Sequence, residues 1–205
     1  MSKAAILVVG TVLVLVGLGG MAITMAYQLP YSSGVGCPAV GPGINDQSAG
    51  MMGGMDAMFI QQMIPHHDDA IAMADLALTS AEHPELRQLA ESIKRTQTAE
   101  NAQMREWYRE WFGADVPTGS ESFGMMGGMM GGGMTDLEAL SKADSFDKAF
   151  LEQMIPHHQM AIMMSRMAGG ATGRPEMRDF TQSIIDTQSR EIEQMQEWYR
   201  EWYGR

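Results

Sequence analysis

An internal repeat constrains the fold of this chain more strongly than any other feature of its sequence. Residues 59–112 align without a gap with residues 150–203, at a constant offset of 91 positions (150 − 59 = 91). Two blocks carry the match: Met63-Ile64-Pro65-His66-His67 recurs as Met154-Ile155-Pro156-His157-His158, and Trp107-Tyr108-Arg109-Glu110-Trp111 recurs as Trp198-Tyr199-Arg200-Glu201-Trp202. The fold must therefore hold two copies of one structural unit.

Each copy has the apolar spacing of a helical hairpin, because apolar residues recur at helical intervals on both sides of a short polar break. Pro84 suits the first position of a second helix, and the spacing predicts turns at residues 81–84 and 169–175. The helices are predicted to continue, with a kink, through Pro65 and Pro156. Since one hairpin cannot bury its apolar faces alone, the sequence predicts an all-α four-helix bundle of two repeated hairpins.

The N-terminal segment has the length and composition of a transmembrane helix. Residues 4–26 contain no charged residue, and a helix of that length rises roughly 34 Å, enough to cross a bilayer. Lys3 precedes the segment and the next basic residue is Arg87, so the positive-inside rule places the following domain outside the cytoplasm. The sequence thus predicts a single-pass protein of the cell membrane. A cleaved signal peptide is the alternative, and it also exports the domain.

The sequence divides into five segments by composition. We predict a membrane anchor or signal segment at 1–26, a flexible tether at 27–55, the first helical hairpin at 56–112, a methionine- and glycine-rich linker at 113–143 and the second hairpin at 144–205. The tether assignment depends on its content of proline, glycine and serine.

The overall charge limits the classes of partner. The net charge is −11, which repels phosphate backbones and argues against a nucleic-acid partner, whereas it attracts cations. Cys37 is the only cysteine, so the chain has no intramolecular disulfide.

Polar residues occupy positions on the helices where a plain bundle would have leucine. At 100° per residue, His67 falls near the centre of the apolar stripe of the first helix and His66 on its flank. Gln97, Glu100 and Met104 fall on the stripe of the second helix. The hairpin geometry predicts that His67 lies beside Gln97, with Met63 near Glu100 and Met104. The second copy supplies the equivalent set, His158, Gln188, Glu191, Met154 and Met195.

Two interpretations of this polar layer stay open at the level of sequence. A buried histidine must be hydrogen-bonded, so the layer could be a satisfied polar network. Imidazole and thioether ligands together also suit Cu(I), so the layer could bind a soft metal ion, with Gln97, Glu100, Gln188 and Glu191 supporting its ligands. His83, in the first turn, is interpreted as incidental.

Methionine is unusually frequent, with 22 residues, and part of it clusters in glycine-rich segments. Thioethers are soft, neutral donors, so the linker methionines are predicted to be accessory metal ligands: Met125, Met126, Met129, Met130 and Met134. Met160, Met163 and Met167 point away from the core stripe, and they form either a second, shallow site together with the loop 125–134 or an ordinary contact surface.

The Met-Ile-Pro-His-His motif, followed by Gln-x-x-Glu-x-x-x-Met, resembles the domain-of-unknown-function 305 family over both copies. The resemblance implies a ferritin-like four-helix fold and an extracytoplasmic copper-binding protein that uses methionine and histidine. It implies ten candidate metal ligands: Met63, His66, His67, Met73, Met104, Met154, His157, His158, Met164 and Met195.

We therefore expect an extracytoplasmic protein that binds Cu(I) or Ag(I) for copper sequestration, trafficking or resistance, with an unidentified copper-handling protein as partner. A non-metal scaffold of the cell envelope is the alternative function. A ferritin-like metal-dependent oxidase is a second alternative, although such sites usually need four carboxylates and Glu-x-x-His pairs. We expect no enzymatic activity.

Overall fold

Helices account for almost all of the described chain. The computed structural model describes residues 45–117 and 135–204. Within these ranges there is no β-strand, and five helices follow one another: α1 (Asn45–Ser80), α2 (Pro84–Phe112), α3 (Leu137–Ser141), α4 (Phe146–Ala171) and α5 (Pro175–Tyr203). The predicted all-α class is therefore confirmed.

Local signals set the ends of the long helices. Pro84 and Pro175 begin α2 and α5, where the missing N–H of proline has no cost because the first helical N–H groups have no partner in the helix. Gly113 ends α2 in the left-handed conformation, at a φ of 69°, and its N–H donates to the carbonyl of Arg109. The two turns fall within the predicted ranges, although α4 extends through Ala171.

Pro65 and Pro156 lie inside α1 and α4, so the helices continue through both prolines as predicted. A proline has no N–H to donate, so the regular pattern of backbone hydrogen bonds lacks one donor at each of these positions. The kinks themselves stay a prediction.

The helices also extend into segments that were assigned to connections. The first residue of α1 is Asn45, so the backbone is helical over part of the segment 27–55 that was predicted as a flexible tether. The short helix α3 lies within the predicted linker 113–143, and the side chain of Asp136 caps it by accepting from the N–H of Ala139. The methionine-rich residues 125–134 lie outside the described residues.

None of the helices in the described ranges is both long enough and apolar enough to cross a membrane. The predicted transmembrane helix within residues 1–26 lies outside the described residues and stays a prediction.

The four long helices pack as a helical bundle in two hairpins. Helix α1 packs against α2, α4 packs against α5, and the hairpins meet where α1 contacts α4. The short α3 contacts both α1 and α4. The bundle prediction agrees with this packing, whereas the ferritin-like arrangement stays an expectation from the resemblance.

The apolar core is divided into two clusters, each built from both copies of the repeat. The first core cluster contains Met73, Leu86, Ile93, Phe150, Met154 and Met195 among its buried residues. The second core cluster contains Phe59, Met63, Met104, Tyr108, Met177 and Ile184. Because each cluster takes buried residues from both hairpins, the two copies share one apolar core.

The buried face of α1 differs from the predicted stripe beyond His67. Ile71 and Leu78, which the helical spacing places on the same stripe as His67, are half-buried, whereas Met73 and Ala77 are fully buried. The reason is that α3 and α4 pack on this flank of α1 and include Met73 and Ala77 in the first core cluster. A helical-wheel projection of α1 alone cannot predict which of its faces the neighbouring helices cover.

Candidate metal centre

Four histidines form a polar layer between the two core clusters. His66 and His67 come from α1, and His157 and His158 come from the equivalent turn of α4. The exposed fractions of His67 and His158 are 0%, and that of His157 is 2%. Along α1 the histidine pair follows Ile64 of the second core cluster and precedes Ala70 of the first. The histidine side chains thus lie in the middle of the bundle, where water has least access.

His66 and His157 join the two hairpins across this layer. Their ring centroids lie 3.7 Å apart with a tilt of 38° between the planes. Burial, reinforced by the other histidines, lowers the pKa of His66 to about 2 and the pKa of His157 to about 3. Both rings are therefore neutral at ordinary pH, which is the form that binds metal ions.

Each of the other two histidines makes a hydrogen bond to a carboxylate of its own hairpin. His67 Nε2 lies 2.8 Å from Glu100 Oε2, and His158 Nε2 lies 2.8 Å from Glu191 Oε2. A carboxylate accepts, so in the neutral form of each ring the proton is on Nε2 and the lone pair is on Nδ1. Both Nδ1 atoms are buried and have no hydrogen-bond partner.

The hydrogen-bond partner of His67 is Glu100, which lies three residues beyond the Gln97 that the sequence placed beside it. Side chains lean toward the N-terminus of their own helix. The side chain of His67 therefore leans away from the turn and that of Glu100 leans toward it. The two side chains meet although their Cα atoms lie at different numbers of residues from the turn. Gln97 is buried in α2, as Gln188 is in α5, and the Oε1 of each amide lacks a hydrogen-bond partner.

The candidate methionine ligands lie on both sides of the histidine layer. Met63 and Met104 are buried in the second core cluster, and Met164 packs against it half-buried. The remaining three, Met73, Met154 and Met195, are buried together in the first core cluster. The ten candidates implied by the resemblance are thus divided between two methionine groups and one histidine layer. The accessory candidates Met125, Met126, Met129, Met130 and Met134 lie outside the described residues.

The donor set fits a soft ion better than a hard one. Within residues 45–117 and 135–204, no three His, Cys, Asp or Glu side chains are grouped so that they could hold a metal ion. The buried atoms without hydrogen-bond partners instead include ring nitrogens of all four histidines and the two glutamine oxygens. Unpaired buried polar atoms are costly, and neutral nitrogens beside thioethers are the donors that Cu(I) prefers.

The structure also assigns a role to His83, which the sequence analysis had interpreted as incidental. Asp147, at the start of α4, accepts hydrogen bonds from the backbone N–H groups of Glu82 and His83, at 2.9 and 2.8 Å. Its Oδ2 also lies 2.6 Å from His83 Nδ1. The His83 ring stacks on Trp202, with centroids 3.7 Å apart. The turn of the first hairpin is therefore held by both helices of the second.

The opposite end of the bundle has an equivalent contact at the offset of 91 positions. Arg174, in the turn of the second hairpin, lies 3.3 Å from the buried carboxylate of Asp56 and 4.3 Å above the ring of Trp111. We call the two contacts the His83 clasp (His83, Asp147, Trp202) and the Arg174 clasp (Arg174, Asp56, Trp111). The sequence signal was available, because Asp56 and Asp147 extend the repeat by three residues upstream of Phe59 and Phe150.

Comparison with known proteins identifies relatives that share this fold. CopM in the Cu(I)-bound form superposes with a TM-score of 0.64 and 47% sequence identity, covering 73% of this chain and 98% of CopM. The same protein is known in apo, Ag-bound and Cu(II)-bound forms. A domain-of-unknown-function 305 protein from Streptomyces coelicolor shares the fold at 24% identity, with a TM-score of 0.63 over 72% of this chain and 93% of that one.

A shorter match joins the chain to an uncharacterized protein of Acanthamoeba polyphaga mimivirus. The two are 43% identical over 49 residues, which is 24% of this chain and 32% of the viral protein. The match therefore spans about a third of the viral protein. The family described as domain of unknown function 305 matches residues 56–199, which contain both histidine pairs and all four long helices in whole or large part. The chain belongs to the domain-of-unknown-function 305 family.

Proposed function

We propose that this protein binds Cu(I) or Ag(I) in the histidine layer at the centre of its bundle. The observation that carries the proposal is the pair of buried Nδ1 atoms of His67 and His158, each presenting a lone pair because a glutamate holds the proton on Nε2. A carboxylate that fixes the far nitrogen of a histidine is the usual support of a metal-bound imidazole. His66 and His157 add neutral rings at the same level.

The electrostatics of the layer favour a single positive charge. Burying an ion in an apolar bundle costs free energy that rises steeply with its charge. Each hairpin offers one carboxylate, Glu100 or Glu191, whose side chains are 12% and 11% exposed. One carboxylate per vicinal histidine pair balances one monovalent ion. CopM, with 47% identity over nearly its whole length, is known with Cu(I), with Ag and with Cu(II) bound, which supports copper or silver as the cargo here.

We infer further that the domain acts outside the cytoplasm, held at the cell membrane by the apolar segment within residues 1–26. There it serves copper sequestration, trafficking or resistance, and it exchanges its ion with a copper-handling protein. The support is the apolar segment itself, the distribution of Lys and Arg around it and the copper-related relatives.

The two alternative functions have weaker support. In the described histidine layer, Glu100 and Glu191 are the two carboxylates bonded to histidine, whereas a ferritin-like oxidase site usually combines four carboxylates with two histidines. A scaffold would need no buried nitrogen atoms without hydrogen-bond partners at its centre, since each costs on the order of 1–3 kcal/mol.

Competition with a coloured Cu(I) chelator tests the proposed function. The full-length protein in detergent should withdraw Cu(I) from the chelator with an affinity tighter than about 1 μM, whereas His67→Ala combined with His158→Ala should bind at least a hundredfold more weakly. The matched control is His83→Ala, which removes a histidine outside the layer. Equal affinities of the double variant and the control would overturn the proposal.

A further inference from the structure

One surface of α4 differs in chemistry between the two copies of the repeat. The second copy has four methionines at Met160, Met163, Met164 and Met167, which we call the methionine stripe. The equivalent residues of the first copy are Asp69, Ala72, Met73 and Leu76. Three of the four methionines thus have no methionine counterpart, so the demands of the shared fold do not account for them.

The methionine stripe is open to solvent at its outer end. The exposed fractions of Met163 and Met167 are 37% and 54%, whereas Met160 and Met164 are half-buried. Met164 packs against the second core cluster. Burial of Met163 and Met167 therefore contributes little to folding, whereas their thioethers are accessible soft donors on flexible side chains.

The methionine stripe leads along α4 toward the buried His157. At 100° per residue, His157, Met160, Met164 and Met167 fall within an arc of about 80° on one flank of α4 and span about 15 Å along its axis. Residues three and four positions apart on a helix have Cβ atoms about 5–6 Å apart, which flexible thioethers can bridge. His157 is 2% exposed, and neither of its ring nitrogens has a hydrogen-bond partner.

We propose that the methionine stripe is an uptake ladder that passes a monovalent soft ion, Cu(I) or Ag(I), from solvent to His157. The ion would bind first to the exposed thioethers of Met163 and Met167 and move inward by ligand exchange through Met160 and Met164. Each step replaces one thioether by the next donor, and no electron or proton is transferred. The first copy has no such ladder, so loading begins in the second hairpin. The inference rests on the proposed function, because it assumes that the histidine layer is the destination.

The rate at which the protein takes up Cu(I) tests the methionine stripe, whereas the final amount of bound copper tests the histidine layer. Stopped-flow transfer of Cu(I) from a coloured chelator complex would be followed for the full-length protein in detergent, under conditions where the protein limits the rate. The variant Met160→Leu/Met163→Leu/Met167→Leu keeps the apolar surface and removes three thioethers. Its loading should be roughly tenfold slower, with the same final amount of bound copper. The matched control is Met58→Leu, which removes an exposed methionine of α1, at 39% exposure, without changing the rate.

The outcomes distinguish the two proposals. An unchanged loading rate in the triple variant, together with unchanged final binding, would overturn the ladder and leave the histidine site intact. Loss of bound copper without a change in rate would show a separate storage site and would also overturn the ladder. Failure of the unsubstituted protein to take up Cu(I) would overturn both proposals. Because leucine resembles methionine in size, circular dichroism of the variant provides the control for folding.

Discussion

His67 Nε2 lies 2.8 Å from Glu100 Oε2, and this contact decides which nitrogen of the buried ring can act as a metal ligand. The carboxylate accepts the Nε2 proton, so the lone pair is on Nδ1, which is buried without a partner. His158 and Glu191 repeat the arrangement at the same distance. Duplication of the hairpin has thus produced two equivalent donors that meet in one layer.

The first prediction concerns the support that Glu100 gives to His67. Replacing Glu100 by alanine should weaken Cu(I) or Ag(I) binding by roughly 10- to 100-fold, because the ring loses both its fixed orientation and its fixed tautomer. Glu100→Gln should weaken binding less, since the amide oxygen still accepts from Nε2. Chelator competition measures both effects, and Glu110→Gln, on the exposed face of α2, is the control. Equal affinities of the alanine variant and the control would contradict the role of Glu100.

The second prediction concerns the stability of the metal-free protein as a function of pH. Burial lowers the pKa of His66 to about 2 and that of His157 to about 3, whereas both titrate near 6.5 in the unfolded chain. Below pH 6.5 the unfolded state therefore binds protons that the folded state does not, and the free energy of unfolding falls. This decrease in the free energy of unfolding approaches about 1.4 kcal/mol per pH unit for each histidine, until the pH nears the pKa values of the folded state.

Urea unfolding at pH 7, 6 and 5 measures this dependence before most carboxylates titrate. His157→Gln should remove about half of the slope, because one of the two buried imidazoles is gone. The account would fail on this point if the stability were flat between pH 6.5 and 5.

The third prediction concerns the His83 clasp. Asp147→Ala should lower the free energy of unfolding by about 2 kcal/mol, because the buried carboxylate accepts from two backbone N–H groups and from the His83 ring. Asp144→Ala, an exposed substitution just before α4, should change the stability by less than about 0.5 kcal/mol. Chemical unfolding compares the two, and equal stabilities would show that the clasp does not hold the hairpins.

The fourth prediction uses the repeat to exchange one clasp for the other. Arg174 occupies the position equivalent to His83, between a buried aspartate and a tryptophan. His83→Arg should therefore keep most of the stability, because a guanidinium can bind Asp147 and stack on Trp202. His83→Ala should be the less stable of the two variants in urea unfolding. A reversed order would mean that the two ends of the bundle are not equivalent.

The hairpins were predictable from sequence because the signals that form them are local. Pro84 and Pro175 begin helices for reasons that are contained within a few residues. The burial of His67 followed from its spacing relative to Ile60 and Ile64, which are buried on the same face of α1. The match between the two copies then extended each prediction to the second hairpin.

The contacts between different helices could not be predicted from these local sequence signals. The pairing of His67 with Glu100 depends on the lean of side chains along two antiparallel helices, and the sequence spacing alone indicated Gln97. The close approach of the His66 and His157 rings depends on which faces of the two hairpins meet. Internal similarity shows that two units are alike, but it contains no information on how they dock.

The most direct test of the histidine layer is to observe its ring nitrogens while the ion binds. Two-dimensional NMR of protein labelled with ¹⁵N at histidine, titrated with Ag(I), reports on Nδ1 and Nε2 separately. The account predicts that Nδ1 of His67 and His158 shifts on binding, whereas Nε2 of both rings stays protonated against Glu100 and Glu191. Saturation with Ag(I) that leaves the four histidines of the layer unchanged, and moves only methionine signals, would contradict it.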